Sequence, residues 1–538
     1  MRRNALLLLL LIALFCVGCG KKKEEVSHRF NGLEICFKEQ VTSIDPRIGT
    51  ARPSNSVVSM LFEGLMSADI DGNLTLALAE KYEISEDLQT YTFYIRPCHW
   101  SNGDPISAYD FEYAWKRSIN PLTAQPSGHA FYPIKNASKC LEGKSKIEEV
   151  GITAVNNRIL VVELEHPAPY FLELVSTSLF SPIPKDIVLK NSDWANQSSD
   201  KFISSGPFRL RKWKRGQFLQ MDRNPFYWNA DEVHISEIMI KILPDEYDRL
   251  RLFEENKTDW IGQPVAPFSS ELVGELHYVE HQPSLGLLAY FCNVESYPFN
   301  NTNLRKALAY SIDRKTIADH IFYEGATPAL SLLNPLLNGQ KQSTYFHEEH
   351  EGAKAALYLR IALTELGMDL GDLPELVLSY PNTSLQSRVA QVIQKQWKDH
   401  LGLVVRLDPL DKPRFFDQVK KGQHQIASCM WKGLLLDSSH FLETMGSTLG
   451  MNILTHWRAP EFLKIIEQLR TETNPSKKGN LISKAEHFLM EEMPIIPICF
   501  GSVCFLKSER LKDVYVSPLY RVDFKHAYLI DDEMKVIR

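Results

Sequence analysis

Four short blocks follow one another in fixed order between residues 61 and 121: LFEGL (61–65), ADIDGN (68–73), WSNGDPISAYDF (100–111) and AWKRSINP (114–121). Asp71-Gly72, after Ala68-Asp69-Ile70, is a tight-turn signal. From Gln89 to Arg96, apolar Tyr91, Phe93 and Ile95 alternate with Thr92, Tyr94 and Arg96, the period of a half-buried strand. Trp100 to Pro105 reads as a turn feeding a helix. Ser107 stands at its N-cap and Asp110 at N3, and Ile106 and Phe111 are placed as a hydrophobic staple. Phe111, Ala114, Trp115 and Ser118 then share one helical face until Pro121, which lacks an N–H and clashes with the preceding turn, stops it. Strand, turn and capped helix in succession predict a mixed α/β protein.

The rest of the chain carries the same alternation, with no internal repeat. SGPFRLRKWKRGQFLQMDRNPFYW (205–228) predicts a hairpin and a turn. FNNTNLRKALAYSIDRKTI (299–317) predicts a helix through Leu304, Ala307 and Leu308, then a second helix capped by Asp313. Val389, Val392, Ile393, Trp397, His400 and Leu401 lie at helical spacing with Gly402 as the C-terminal cap, and the apolar run at 403–407 begins a strand. Residues 494–505 read as a buried strand.

Taken together and in order, these blocks resemble the extracytoplasmic solute-binding proteins of the oligopeptide, dipeptide and nickel family, the receptors of ABC importers. The resemblance runs from about Leu33 to the C-terminal region. It implies an α/β (mixed α+β), two-lobed periplasmic-binding-protein-like fold with an additional inserted domain and the ligand cleft between the lobes. The implied division is 1–18 signal peptide, 19–29 tether, a discontinuous lobe I from 30–75 with 198–290 and 505–538, an inserted domain at 76–197, and an opposing lobe at 291–504.

The N-terminus supports export. Met1-Arg2-Arg3-Asn4 precedes thirteen uncharged residues, Ala5 to Val17, too short to span a bilayer comfortably but suited to a signal-peptide core. Gly18-Cys19 looks like the cleavage and lipid-attachment site of bacterial lipoproteins, although Cys16 stands where such sites usually carry Leu; ordinary secretion, with Cys19 an unmodified thiol, is the alternative. No further apolar stretch is long enough for a membrane span, so the body is expected to be soluble and held by its first residue alone. With 44% hydrophobic and 10% aromatic residues the chain can build more than one large core. Its charges are mixed, at a formal net −6, and no basic stripe interleaves with aromatics, so nucleic acid is not an expected partner. Seven cysteines follow Cys19, an odd number that cannot all pair; most are expected to be small buried hydrophobes, and one internal disulfide is open.

No catalytic set emerges. There is no Gly-x-Ser-x-Gly elbow, phosphate loop or dinucleotide fingerprint. His347-Glu-Glu-His350 has its histidines three apart rather than four and sits in an acidic loop, and Cys499 and Cys504 read as buried thiols. No cofactor and no metal is expected. A binding protein is the better reading, against a lipoprotein of the same fold acting as sensor, adhesin or chaperone, and a secreted hydrolase.

GQHQIASCMW predicts a strand ending at Trp431, and LLLDSSHFLETM follows it. This segment resembles the one that, in peptide-binding relatives, lies between the lobes and pairs by backbone with an extended ligand, so that main-chain hydrogen bonds give affinity whatever the side chains. Trp431 would wall the pocket or else be an ordinary core tryptophan. The relatives' aspartate that holds the peptide α-amino group falls here on Leu434, their arginine three before the Trp on Ser428, and a pocket tryptophan nineteen before it on Lys412. An unpaired buried ammonium costs several kcal/mol. Three readings stay open: a ligand without a free amine, an amine met by Asp437 or Glu63, or a register shifted by a few residues. The candidate ligand set is Glu63, Gly64, Leu65, Tyr132, Gln386, Lys412, Ser428, Met430, Trp431, Lys432, Leu434 and Asp437. The implied partners are a peptide or peptide-like ligand, an ABC permease with its ATPase subunits, and a membrane through the lipid. A monomer at the extracytoplasmic face of the cell envelope is expected.

Overall fold

Ser107 donates from both its backbone N and its Oγ to Asp110 Oδ2, at 2.8 and 2.9 Å, so the capping box sets the start of the helix Ala108–Ile119. That helix buries Phe111, Ala114, Trp115 and Ser118 as their spacing predicts, and Trp115 Nε1 donates to Phe180 O at 2.8 Å. The strand Thr90–Ile95 alternates half-buried and buried residues along its whole length. It belongs to a four-stranded sheet with Ala79–Ile84, Ile159–Glu163 and Ile152–Asn156. The computed structural model describes residues 30–49, 52–123, 126–191, 193–196, 202–322, 325–337, 344–446, 452–530 and 536–537. The expected leader and lipid site lie outside them.

The later patterns resolve equally well. Phe208–Lys214 and Phe218–Arg223 form the hairpin. Asp313 accepts from Thr316 N at 2.9 Å and caps Arg314–Ile317. Ser384–Leu401 ends on Gly402 at φ 70°, the left-handed conformation that glycine adopts without strain.

The scaffold is one sheet that serves two cores. Its strands run in the order Val405–Leu410, Leu376–Pro381, Ile426–Trp431, Glu280–Cys292, Ile495–Lys507, Trp260–Gly262, Leu33–Phe37, Glu237–Ile242, Phe218–Arg223 and Phe208–Lys214. One large core gathers apolar residues from 33–266 with Leu435 and 503–529, the other gathers 285–500, and a small further cluster joins Cys36, Ile261, Phe268, Leu272, Val273, Cys504 and Leu506. The fold is thus two-lobed α/β with a further sheet built onto the first lobe. Glu280–Cys292 and Ile495–Lys507, antiparallel, pass from one core to the other. Their ladder runs from Glu280↔Phe505 to Pro283↔Ser502, breaks, and resumes at Leu287↔Phe500. Tyr520 lies over the break, so close that a Cβ on Gly286 would stand 2.4 Å from its hydroxyl and one on Gly501 2.8 Å.

Of the seven cysteines after Cys19, six are buried and only Cys429 is partly exposed. His350 stacks on His400, ring centroids 3.9 Å apart. No helix among the described residues is long and apolar enough to cross a membrane.

Candidate functional site

Three distant segments meet at Glu63. Its Oε1 accepts from Tyr227 Oη at 2.7 Å and from Lys525 Nζ at 3.3 Å, and its Oε2 from Trp228 Nε1 at 2.7 Å. The Arg-Asn-Pro-Phe-Tyr-Trp turn delivers those aromatic donors: Asn224 accepts from Phe226 N at 3.0 Å and donates to Gly206 O at 2.9 Å, which fixes the turn. Burial works to lower the Lys525 ammonium, but Glu63 and Asp523 more than offset it and leave it raised. Tyr227 is pushed far up by burial and then by the Glu63 charge. Glu63 and its donors Tyr227 and Trp228 lie in two of the blocks that carry the resemblance, but Lys525 carries no local signal.

Ile426–Trp431 pairs antiparallel with 287–292 along its whole length and parallel with Leu378–Ser379 only at Ile426 and Ala427. From Ser428 to Trp431, among the described residues, it has a ladder partner on one side alone. Trp431 is half-buried and meets Phe441 edge to face, centroids 4.6 Å apart. The chain then crosses between the cores. Leu434 packs on the first core, Leu435 is buried within it, and Leu436 returns to the second.

A cavity of about 720 Å³ opens beneath this crossing. Leu434, Leu435, Leu436 and Asp437 line one wall; Glu63, Gly64, Met66 and Ser67 line another; residues between Tyr170 and Leu179 and between Tyr515 and Lys525 supply much of the rest. The size is that of a small-molecule or short-peptide pocket. Contacts between the lobes frame it. Tyr170 Oη donates to Glu443 Oε2 at 3.1 Å, and Arg470 pairs with the same carboxylate. Leu436 N donates to Glu173 Oε1, and Arg521 reaches Leu434 O at 3.4 Å. Elsewhere Arg388 joins Glu271 at 2.9 Å. Burial pushes Glu173 up to about 7, Asp437 adding to it while the Leu436 N–H and Arg521 oppose it. Burial lowers Arg521.

The structure brings Glu63, Gly64, Leu434 and Asp437 of the expected set to this cavity. Ser428 is buried and donates to Gln386 Oε1 at 2.7 Å, which ties those two together on the strand's one-sided stretch. Met430 and Trp431 are half-buried on the second core and Lys432 is exposed with its ammonium 4.0 Å from the Tyr520 ring centre. Leu65 is fully buried in the first core. Lys412 opens an exposed helix start and Tyr132 is half-buried; neither lines the cavity. Glu173, Tyr170 and Arg521 line it without having been signalled by any motif.

The chain matches the family model described as bacterial extracellular solute-binding proteins, family 5 Middle, over residues 73–452. It is 34% identical to the oligopeptide-binding protein OppA of Bacillus subtilis over 95% of this chain and 94% of that one. It is 30% identical to the dipeptide-binding protein DppE of the same organism over 94% of each. Haemophilus influenzae OppA in complex with RPPGFSPFR superposes with a TM-score of 0.76 at 25% identity, covering 94% of this chain and 100% of that one.

Proposed function

The chain belongs to the bacterial extracellular solute-binding proteins of family 5, and from that premise we propose that it captures oligopeptides or peptide-like ligands between its lobes and hands them to an ABC permease. One observation carries the reading: a strand with a one-sided ladder, 428–431, runs straight into the wall of a cavity held between two separate cores. An extended ligand can add its main chain to that edge while its side chains or terminus enter the cavity. The lobes turn about the two crossing strands, and ligand works through its greater affinity for the closed form. No covalent chemistry is part of this reading.

The mature protein begins, in this proposal, at a lipidated Cys19 after removal of 1–18, with 19–29 as tether, and works as a monomer on the outer face of a membrane. Lobe I is assembled from 30–75, 198–290 and 505–538, the inserted domain from 76–197, and the opposing lobe from 291–504. The separate four-stranded sheet supports the inserted domain, and the two large cores, one from 33–266 with Leu435 and 503–529 and one within 285–500, support the two lobes. Purified protein should gain thermal stability with peptide, by about 2.7 kcal/mol at a hundredfold excess over Kd. No gain with any peptide pool, together with a non-peptide ligand found by native mass spectrometry, would turn the reading towards a sensor or chaperone of the same fold.

A further inference from the structure

The cavity is lined by four carboxyl groups: Glu63, Glu173, Asp437 and Asp523. Three of them are engaged. Glu63 accepts from Tyr227, Trp228 and Lys525. Asp437 accepts from His440 N at 2.8 Å, as the cap of helix Ser438–Gly446, and stands 3.9 Å from Lys478 Nζ. Asp523 accepts from Lys525 N at 2.8 Å and shares that residue's charge. Glu173 is different. It accepts from Leu436 N, and among the described residues it has no ion pair, although it is half-buried beside the turn where the chain crosses the cleft. Arg521 faces the same space without closing to ion-pair distance of it.

We propose, resting on the peptide reading above, that Glu173 receives a primary ammonium group of the ligand and so fixes the ligand's amino end beside the Leu434–Leu436 turn. The position fits an antiparallel ligand: Leu436, whose N–H Glu173 accepts, lies five residues beyond the C-terminal end of the one-sided strand edge, so a ligand paired antiparallel along that edge has its amino terminus directed to this turn. The cavity's other lining at that wall is Leu434, Leu435, Leu436 and Asp437, and because the Asp437 carboxylate already accepts from His440 N and faces Lys478, Glu173 is the carboxylate there left open to an incoming ammonium. A carboxylate reached by an ammonium makes a charge-assisted hydrogen bond that an acetylated amine cannot make.

Glu173 is the specificity-determining group in this scheme, and its titration gives a second readout. The groups that face it are Asp437, Arg521 and Tyr515. Burial favours its neutral form when the cavity is empty. An arriving ammonium favours the ionised form, so binding releases a proton from the carboxyl. Below about pH 7 the affinity for a free amine therefore rises with pH, approaching tenfold per unit, and flattens above it; the affinity for an acetylated end does not follow.

The test uses the mature chain and two pools of random penta- to octapeptides free of Lys and Arg, identical except that one is N-acetylated. Binding is read by native mass spectrometry and by calorimetry of single members at pH 5.5 and 7.5, in buffers of different ionisation enthalpy. The expected result is that unblocked peptides bind at least about tenfold tighter at pH 7.5, release a proton, and lose the preference in Glu173→Gln, whose amide oxygen still accepts from Leu436 N. Equal binding of both pools by the wild type, or a preference that survives Glu173→Gln, overturns the assignment to Glu173 and leaves the peptide reading standing; Arg521 pairing with Glu173 would produce the first of these. Binding of neither pool overturns the peptide reading and this inference with it. The wild-type pH comparison stands without any variant.

Discussion

Replacing Glu63 by Gln is the most direct probe of how the first lobe is locked. The carboxylate and Lys525 Nζ are 3.3 Å apart, with side-chain exposures of 6% and 9%. At an effective dielectric of about 20, unit charges at that distance attract by about 5 kcal/mol before desolvation is subtracted. Glu63→Gln removes the charge and also presents an NH₂ to one of two donors, Tyr227 Oη and Trp228 Nε1, that need an acceptor. We expect a loss of about 3–5 kcal/mol, the cost of leaving one charge of a buried pair uncompensated. Lys525→Met should be milder, because the carboxylate keeps its two neutral donors. The double variant should recover part of the loss, giving a coupling energy of about 2–4 kcal/mol in a double-mutant cycle. Urea unfolding followed by circular dichroism and by tryptophan fluorescence reads all four proteins. A coupling below about 0.5 kcal/mol, the size found for exposed pairs, would refute the view that the pair locks the lobe.

Three further outcomes follow. Glu173 has its folded-state value raised to about 7 from an ordinary 4.5, so its contribution to stability is present below the lower value and lost as pH rises to the higher; from pH 4.5 to 8 the wild type should lose about 2 kcal/mol relative to Glu173→Gln, and an equal pH profile for the two proteins would contradict this. Trp431→Ala should quench the ligand-dependent fluorescence change and weaken peptide binding with a small effect on unfolding; a stability loss of about 3–5 kcal/mol, typical of an emptied aromatic core site, would make it a packing residue instead. Cys19→Ser should release the protein from the membrane fraction, and an unchanged membrane pellet after fractionation would show that another anchor exists.

What was legible in the sequence is what is encoded within a few residues. Ser107 and Asp110 announce a helix start, Gly402 a helix end, and Asp313 a cap, because each acts on backbone groups within one turn of itself. The Glu63 cluster was half legible. Its carboxylate and its aromatic donors sit in recognisable blocks, but its partners lie 164, 165 and 462 residues away, and Lys525 looks in isolation like any lysine. By its place in the segment after Trp431, Leu434 reads as a missing charge. In the structure it is also a gain, since Leu434 and Leu435 pack on the opposite core. Glu173 gives no signal at all, because a carboxylate on a short helix is ordinary until the fold half-buries it in a cavity with no cation at ion-pair distance among the described residues.

The first lobe is closed by chain that is made last. Arg510 donates to Gly32 O across 478 residues and clasps Asp259, while Val516, Val522, Phe524 and Leu529 complete a core begun at Leu33. The second core uses only the continuous run 285–500. Contacts of such long sequence separation are slow to form, so the first lobe, whose opening strand is made earliest, must hold part of its apolar surface open until residues beyond 503 arrive. It waits longest for its closing residues, and that unfinished surface is where aggregation or chaperone capture would act during synthesis and export.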